Sequence, residues 1–217
     1  VLNVWVGPTS DPTQAKPITQ EKQRPIRDYV WARTGKQILY TQDKGGDEDW
    51  HVYRVDLASN QTTDLTPFEK VQAQITAVSE RHPEHILVSM NARDARFHDL
   101  YKINILTGER QLIAKNEAGY LRYTVVHDYN VRCAMKANND GSLAYFKPGK
   151  KNKWKEFLTV PFQDSMTTSI IGFNSAGDKF YMIDSRNRNT AALKEIEVGN
   201  GVVFHERQLM VDDKYAK

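Results

Sequence analysis

The sequence has one cysteine and no long apolar run. With a single cysteine, Cys133, among 217 residues, an intramolecular disulfide framework is excluded. Cys133 lies in the alternating stretch Val131–Met135, where a buried and unreactive thiol is expected. The lack of disulfides leaves the compartment open, and we favour the cytoplasm over the periplasm. No stretch approaches the roughly 18 consecutive apolar residues of a membrane helix, so we expect no membrane partner.

The sequence also lacks an excess of charge of one sign. The 30 lysines and arginines are interleaved with 27 aspartates and glutamates, which leaves a formal net charge of +3. This distribution argues against a nucleic-acid-binding surface. The single basic run, Lys147–Lys155, is typical of a solvated hairpin turn.

The motifs of known catalytic centres are missing as well. No G-x-S-x-G motif is present, because Gly172–Gly177 has one residue too many before its serine. The six histidines form no H-x-x-x-H or H-E-x-x-H pair. The acidic loop 43–49 lacks the terminal glutamate of a calcium-binding EF-hand, and no phosphate-binding or dinucleotide-binding fingerprint occurs. We therefore expect no catalytic residue, no cofactor and no metal in this chain.

What the sequence does contain is a repeat of 47 or 48 residues. The motif Tyr53-Arg-Val-Asp-Leu57 returns 48 residues later as Tyr101-Lys-Ile-Asn-Ile105, and in degenerate form as Leu193-Lys-Glu-Ile-Glu197. A second marker, Trp31–Tyr40, returns 47 residues later from Val78. Because two independent markers share this period in a chain of short alternating segments, the sequence predicts a β-propeller with one four-stranded blade per repeat.

We predict an all-β chain that forms one partial propeller domain over residues 1–217. It has four complete blades over 26–66, 72–114, 121–160 and 168–210, and we letter the four strands of a blade A to D in chain order. The outer C–D hairpin of an incomplete blade precedes them over 1–20. This set does not close a ring, so we expect either that it is a piece of a larger propeller or that its open edges are covered by another chain, which can be a second copy. Equivalent positions in the repeats predict a core of Trp31, Tyr40, Val55, Leu57, Leu87, Tyr101, Ile103, Phe173 and Tyr181.

Short motifs in these repeats resemble those of a known family. They are Leu2–Val6, Arg24–Arg27, Tyr40–Asp43, Gly46–His51, Asp64–Phe68, Asn91–Asp94, His98–Tyr101, Thr107–Glu109 and Asp184–Leu193. In combination they resemble the N-terminal propeller of acylaminoacyl-peptidase-like enzymes, which belong to the prolyl oligopeptidase family of serine peptidases. The resemblance implies that the propeller gates an α/β-hydrolase domain, which carries the catalytic residues, and helps to bind peptide substrate. That hydrolase domain is absent here, so we expect this chain to have no peptidase activity of its own.

The candidate site residues lie in the connections at one end of the strands. In a propeller blade the B–C and D–A connections share one face, and here this set is longer and more charged than the A–B and C–D turns, as in 43–49, 91–98 and 185–189. We expect arginines on this partner face to bind a carboxylate of the hydrolase domain or of a peptide C-terminus. Ion pairs within a blade, Arg93 with Asp94 or Asp99 and Arg186 with Asp184, are the alternative. The candidates are Asp47, Glu48, Arg93, Arg96, His98, Arg186 and Arg188.

Two other functions remain open. A free-standing TolB-like propeller that acts as a protein-interaction module would show the same strand pattern, and a G-x-S-x-G motif downstream in the full reading frame would separate it from a peptidase. A propeller enzyme would need carboxylates or histidines that converge at the starts of the A strands. Those strands carry the mixed set Arg27, Asp28, Gln74, Arg122 and Ser169, which does not support such a site.

Overall fold

The chain is built from short antiparallel strands. The structure is a computed structural model that describes residues 1–149, 153–199 and 202–211. In that part of the chain the helical content is limited to two 3₁₀ turns, Pro12–Gln14 and Phe162–Asp164, and no helix is long and apolar enough to cross a membrane. The contacts divide the chain into two compact units, residues 1–117 and residues 118–217.

The first unit contains a hairpin and two blades. In the hairpin, β1 (Trp5–Val6) pairs with β2 (Lys16–Pro17). The first blade consists of β3 (Tyr29–Trp31), β4 (Gln37–Gln42), β5 (His51–Asp56) and β6 (Thr62–Asp64), and the second of β7 (Ala73–Val78), β8 (His85–Asp94), β9 (Phe97–Asn104) and β10 (Arg110–Ala114). Each strand pairs with the next one along the chain, so the A strands β3 and β7 are edge strands of their sheets.

The second unit contains two more blades of the same topology. The third blade consists of β11 (Arg122–Val125), β12 (Val131–Ala137), β13 (Leu143–Pro148) and β14 (Trp154–Val160), and the fourth of β15 (Ser169–Phe173), β16 (Lys179–Asp184), β17 (Ala192–Gly199) and β18 (Val202–Val211). The predicted fold class is therefore confirmed: four four-stranded blades follow an N-terminal hairpin. That they form one domain over 1–217 stays a prediction.

The cores lie where sheets of the same unit pack face to face. In the first unit, one cluster joins Val4 of the hairpin to Ile38 and Val55 of the first blade, and another joins Leu39 of the first blade to Ile86 of the second. In the second unit, buried side chains of the third and fourth blades form one cluster. Its buried members are Cys133, Tyr145, Phe157, Val160, Ile170, Phe180, Met182 and Ile196.

The predicted core is correct for most positions. Tyr40, Val55, Leu87 and Ile103 are buried, and Leu57, Tyr101, Phe173 and Tyr181 are half-buried. The prediction is wrong for Trp31, because 46% of this residue is exposed. It lies on the edge strand β3, where side chains alternate between faces, and its neighbour Val30 is the one that packs inward.

The register of the fourth blade corrects the predicted repeat by one residue. Ile38, Ile86 and Phe180 occupy equivalent positions on the B strands, and they pair with Val55, Ile103 and Ile196. Ile196 is therefore the equivalent of Ile103, which places Lys194, and not Leu193, at the position of Tyr101. Since side chains on a strand alternate between faces, the predicted alignment would have placed Glu195 in the core position that Ile196 fills.

The segment 91–98, predicted to be a loop, is instead the end of a long hairpin. Strand β8 continues to Asp94, β9 begins at Phe97, and these two residues pair across the sheet. The register shifts between Met90 and Asp94, so the extension leaves the regular ladder and bends the hairpin. An ion pair between the two strands stabilises this extension.

Candidate functional site

That ion pair joins Arg93 to Asp99. The guanidinium donates Nε to Oδ2 at 2.6 Å and Nη2 to Oδ1 at 2.8 Å, and the Asp99 side chain is fully buried. Burial raises the pKa of Asp99, but the hydrogen bonds from Arg93 and from the Asn116 backbone outweigh it and hold that pKa below its ordinary value. Arg93 also donates to the Asn116 carbonyl at 3.1 Å. Arg93 therefore links the hairpin to the connection that follows β10.

In the fourth blade, Arg186 likewise binds a buried carboxylate. It donates Nε and Nη2 to the two carboxylate oxygens of Asp184, each at 2.9 Å. Lys194 donates to the same carboxylate at 2.7 Å. Although burial raises the pKa of Asp184, these hydrogen bonds outweigh it and lower that pKa. Both pairs are the intra-blade pairs that the sequence left as an alternative.

Arg96, Arg188 and Asp47 also have partners within the chain. Arg96 forms an exposed pair with Asp94 at 2.8 Å, and Arg188 donates to the Thr190 carbonyl at 3.2 Å and to Gln208 at 3.3 Å. Asp47 accepts backbone hydrogen bonds from Lys44 and Asp49, each at 3.1 Å. The partners of Arg96 and Asp47 lie within the same turn, whereas Gln208 lies on β18.

Glu48 and His98 complete the predicted set. Glu48 has a φ of 61° at the end of its turn and is exposed. His98 is half-buried, and burial lowers its pKa. Its Nε2 atom is buried without a partner among the described residues. The structure thus brings Arg93, Arg96 and His98 together on one hairpin, Asp47 and Glu48 on one loop, and Arg186 and Arg188 on another.

A cleft that the sequence did not single out lies in the first unit. Two cavities, of about 190 and 350 Å³, share Asp28, Thr41 and Trp50 as lining residues. Arg24 and Arg27 line the smaller cavity, and Gln72 and Gln74 line the larger one. We call the two cavities together the Trp50 cleft. It lies where the first and second blades meet, beside the starts of the A strands β3 and β7 and the end of the B strand β4. This is the face that the sequence predicts to be the partner face.

Backbone hydrogen bonds hold the cleft in shape. Thr41 donates its N–H to the Asp28 carbonyl at 3.1 Å, and Ala73 donates its N–H to the Trp50 carbonyl at 2.8 Å. On the far side, the Gln72 N–H donates to the buried Asn91 side chain at 2.7 Å. The walls come from four separate strands and connections, yet each is tied to its neighbour, so the cleft is preformed.

The side chains of the Trp50 cleft differ from the predicted candidates because most are unpaired. Arg24 donates to the buried Asp43 carboxylate at 3.1 Å. Arg27, Asp28, Gln72 and Gln74 are exposed, and no residue in the described part of the chain pairs with their side chains. The indole of Trp50 is half-buried, and its N–H has no acceptor among the described residues. The cleft thus offers free donors, free acceptors and an apolar surface together.

The signal that could have found this cleft was weak. Arg24–Arg27 and Gly46–His51 carry part of the family resemblance, but Asp28, Trp50 and Gln72 are 22 residues apart in succession. Only the packing of one blade on the next brings them together. No group of three or more histidine, cysteine or acidic residues in the described ranges could hold a metal ion.

Comparison with known proteins relates this chain to peptidases. Dipeptidyl aminopeptidase BIII of Pseudoxanthomonas mexicana is 44% identical over 216 residues, which is 100% of this chain and 31% of that protein. Dipeptidyl peptidase family member 6 of Caenorhabditis elegans is 28% identical over 207 residues, which is 88% of this chain and 26% of that protein. No protein-family model matches the chain.

Solved structures share the fold at low sequence identity. A prolyl endopeptidase superposes with a TM-score of 0.61 at 12% identity, covering 93% of this chain and 29% of that one. A puromycin hydrolase superposes with a TM-score of 0.58 at 9% identity, covering 94% of this chain and 32% of that one. TolB from Acinetobacter baumannii superposes with a TM-score of 0.53 at 14% identity, covering 89% of this chain and 46% of that one. At these identities the likeness shows the fold alone.

These relatives confirm the resemblance to a peptidase that the sequence motifs indicated. Both named relatives are dipeptidyl peptidases, and the chain spans 31% and 26% of their lengths. The chain is a β-propeller segment homologous to part of the dipeptidyl peptidases.

Proposed function

We propose that this chain is the non-catalytic propeller domain of a serine peptidase of the prolyl oligopeptidase family. It gates access to an α/β-hydrolase domain of the same parent protein and helps to bind the peptide substrate. The hydrolase domain supplies the nucleophile, the general base and the oxyanion donors. Association of two copies through open propeller edges stays a prediction.

One observation carries this proposal. The chain is 44% identical to dipeptidyl aminopeptidase BIII from end to end, but spans 31% of that protein. A match of this extent to a small part of a peptidase is expected of an accessory domain. The Trp50 cleft is consistent with that role, because it holds unpaired polar groups on a rigid scaffold.

The arginines contribute unequally to this proposal. Arg93 and Arg186 each hold a buried carboxylate within their own blade, so their replacement is expected to damage the fold. Arg188 donates to the Thr190 carbonyl and to Gln208, and it stays a candidate for binding a carboxylate in the parent protein.

The proposal is tested on the parent protein that contains this chain. Its reading frame should encode a G-x-S-x-G motif downstream, and replacement of that serine should abolish cleavage of dipeptidyl chromogenic substrates. The rate should fall steeply as the peptide is lengthened towards an unfolded protein, because the propeller restricts entry. Charge reversal of Arg188 should raise KM with the fold intact.

Two results would contradict the proposal in different ways. A reading frame without a hydrolase domain would favour the free-standing interaction module instead. Equal cleavage of short peptides and long unfolded proteins would exclude gating, although the assignment to a peptidase would stand.

A further inference from the structure

We infer that the Trp50 cleft is a subsite for an internal, uncharged segment of an extended peptide. This inference rests on the proposed function, because it takes the ligand to be the peptide substrate. It adds which part of the peptide is bound and which side chains bind it. Under the proposed function the scissile bond lies in the hydrolase domain, so the cleft binds a segment of the peptide on one side of that bond.

The charges of the cleft select a neutral ligand. The positive charge of Arg24 is compensated by Asp43 at 3.1 Å. The remaining charges are on Arg27, which lines the smaller cavity, and on Asp28, which lines both, and they are adjacent along the chain and opposite in sign. A peptide terminus or a charged side chain would thus meet both an attractive and a repulsive group.

The polar groups of the cleft match those of a peptide main chain. Every residue of an extended peptide offers one N–H donor and one C=O acceptor. The side-chain amides of Gln72 and Gln74 each provide both kinds of group, Asp28 accepts and Arg27 donates. All four side chains are exposed and unpaired within the described ranges, so a bound peptide would not need to break an existing hydrogen bond.

The indole of Trp50 gives the cleft an apolar surface. It lines both cavities, so a peptide side chain can pack on it from either one. The equivalent position in the second blade is His98, since His51 and Asp99 pair with Gln42 and Met90 at matching places. His98 lines neither cavity, whereas Trp50 lines both.

The size of the cleft also suits a short segment. Its larger cavity, about 350 Å³, falls in the range of roughly 300–1,000 Å³ that is usual for binding pockets. A tryptophan at the centre of such a contact is often the residue that dominates binding.

The test compares substrates of increasing length in the parent protein. The probes are peptides with uncharged side chains, a free N-terminus and an amidated C-terminus, which share one N-terminal dipeptide and one scissile bond, with a dipeptidyl chromogenic substrate as the shortest. For Trp50→Ala we expect kcat/KM to fall roughly tenfold on the longest peptides, mainly through KM, and to stay unchanged on the shortest substrate. Gln74→Ala should give a smaller loss of the same kind. Trp5→Ala, which removes a 59% exposed tryptophan outside the cleft, is the matched control.

Each remaining outcome decides the question. An equal loss on short and long substrates would overturn the inference, because Trp50 would then act on the catalytic domain. So would unchanged kinetics, or a loss seen only when the C-terminus is left as a free carboxylate, which would mean that the cleft binds that terminus. If Trp50→Ala does not fold, Gln74→Ala, with its exposed side chain, gives the same comparison. A parent protein that cleaves nothing would contradict the proposed function, and fluorescence anisotropy of the longest labelled peptide would still decide the subsite.

Discussion

Replacement of Asp99 by alanine is expected to destabilise the first unit. Asp99 is fully buried and holds both Arg93 and the Asn116 N–H at 2.7 Å. Breaking a buried ion pair from one side costs about 3–5 kcal/mol. Arg93 keeps 32% of its side chain exposed, so water can solvate the orphaned guanidinium, and we expect a loss of about 2–4 kcal/mol. For a urea m-value of about 2 kcal/mol/M, the unfolding midpoint should fall by about 1–2 M.

The same hairpin provides a matched control. Asp94 pairs with Arg96 in a similar geometry, but Arg96 is 75% exposed. Exposed pairs contribute little, because water and salt screen them, so Asp94→Ala should leave the midpoint unchanged. The assay is urea unfolding of the wild type and both variants under identical conditions. Equal midpoints for Asp99→Ala and the wild type would refute the reasoning and would return Arg93 to the set of partner-binding residues.

Three further predictions follow from local geometry. A Cβ at Gly7 would lie 2.7 Å from the backbone of Ala15, so Gly7→Ala should lower stability by roughly 1–3 kcal/mol in a thermal melt, whereas Gly172→Ala, with open space around it, should not. Burial raises the pKa of Cys133 to about 12, so a disulfide reagent at pH 8 should label it only after unfolding, and full labelling of the native protein would contradict this. Burial raises the pKa of Asp184, but its arginine and lysine partners outweigh burial and hold that pKa below 3.8; the resulting stabilisation is present above that pH and is lost as the pH falls below it. Urea melts from pH 5 to pH 2 should show a steeper acid loss for the wild type than for Asp184→Asn.

The sequence by itself determined the fold class and the places of the four blades. Alternation of apolar residues defines strands locally, and Tyr53 and Tyr101 mark the same position in successive repeats, because each repeat must bury the same face against its neighbour. The repeat pattern predicted the wrong register in the fourth blade, where its match to the motif is poor. Leu193–Glu197 fits two registers one residue apart, and only the burial of Ile196 between the sheets distinguishes them. The pattern also placed Trp31 wrongly in the core, because a tryptophan in a strand pattern does not show that its strand lies at the edge of a sheet.

The tertiary structure decided which charged residues are free. Arg93 and Asp99 are six residues apart in a stretch predicted to be a loop, and only the extension of β8 and β9 makes them partners. Conversely, Asp28, Trp50 and Gln72 come from connections that are distant in the chain, and the packing of the first blade on the second gathers them around one cleft. A sequence specifies which side chains can pair, but solvation and pairing depend on neighbours in space, and those are set by how the blades pack.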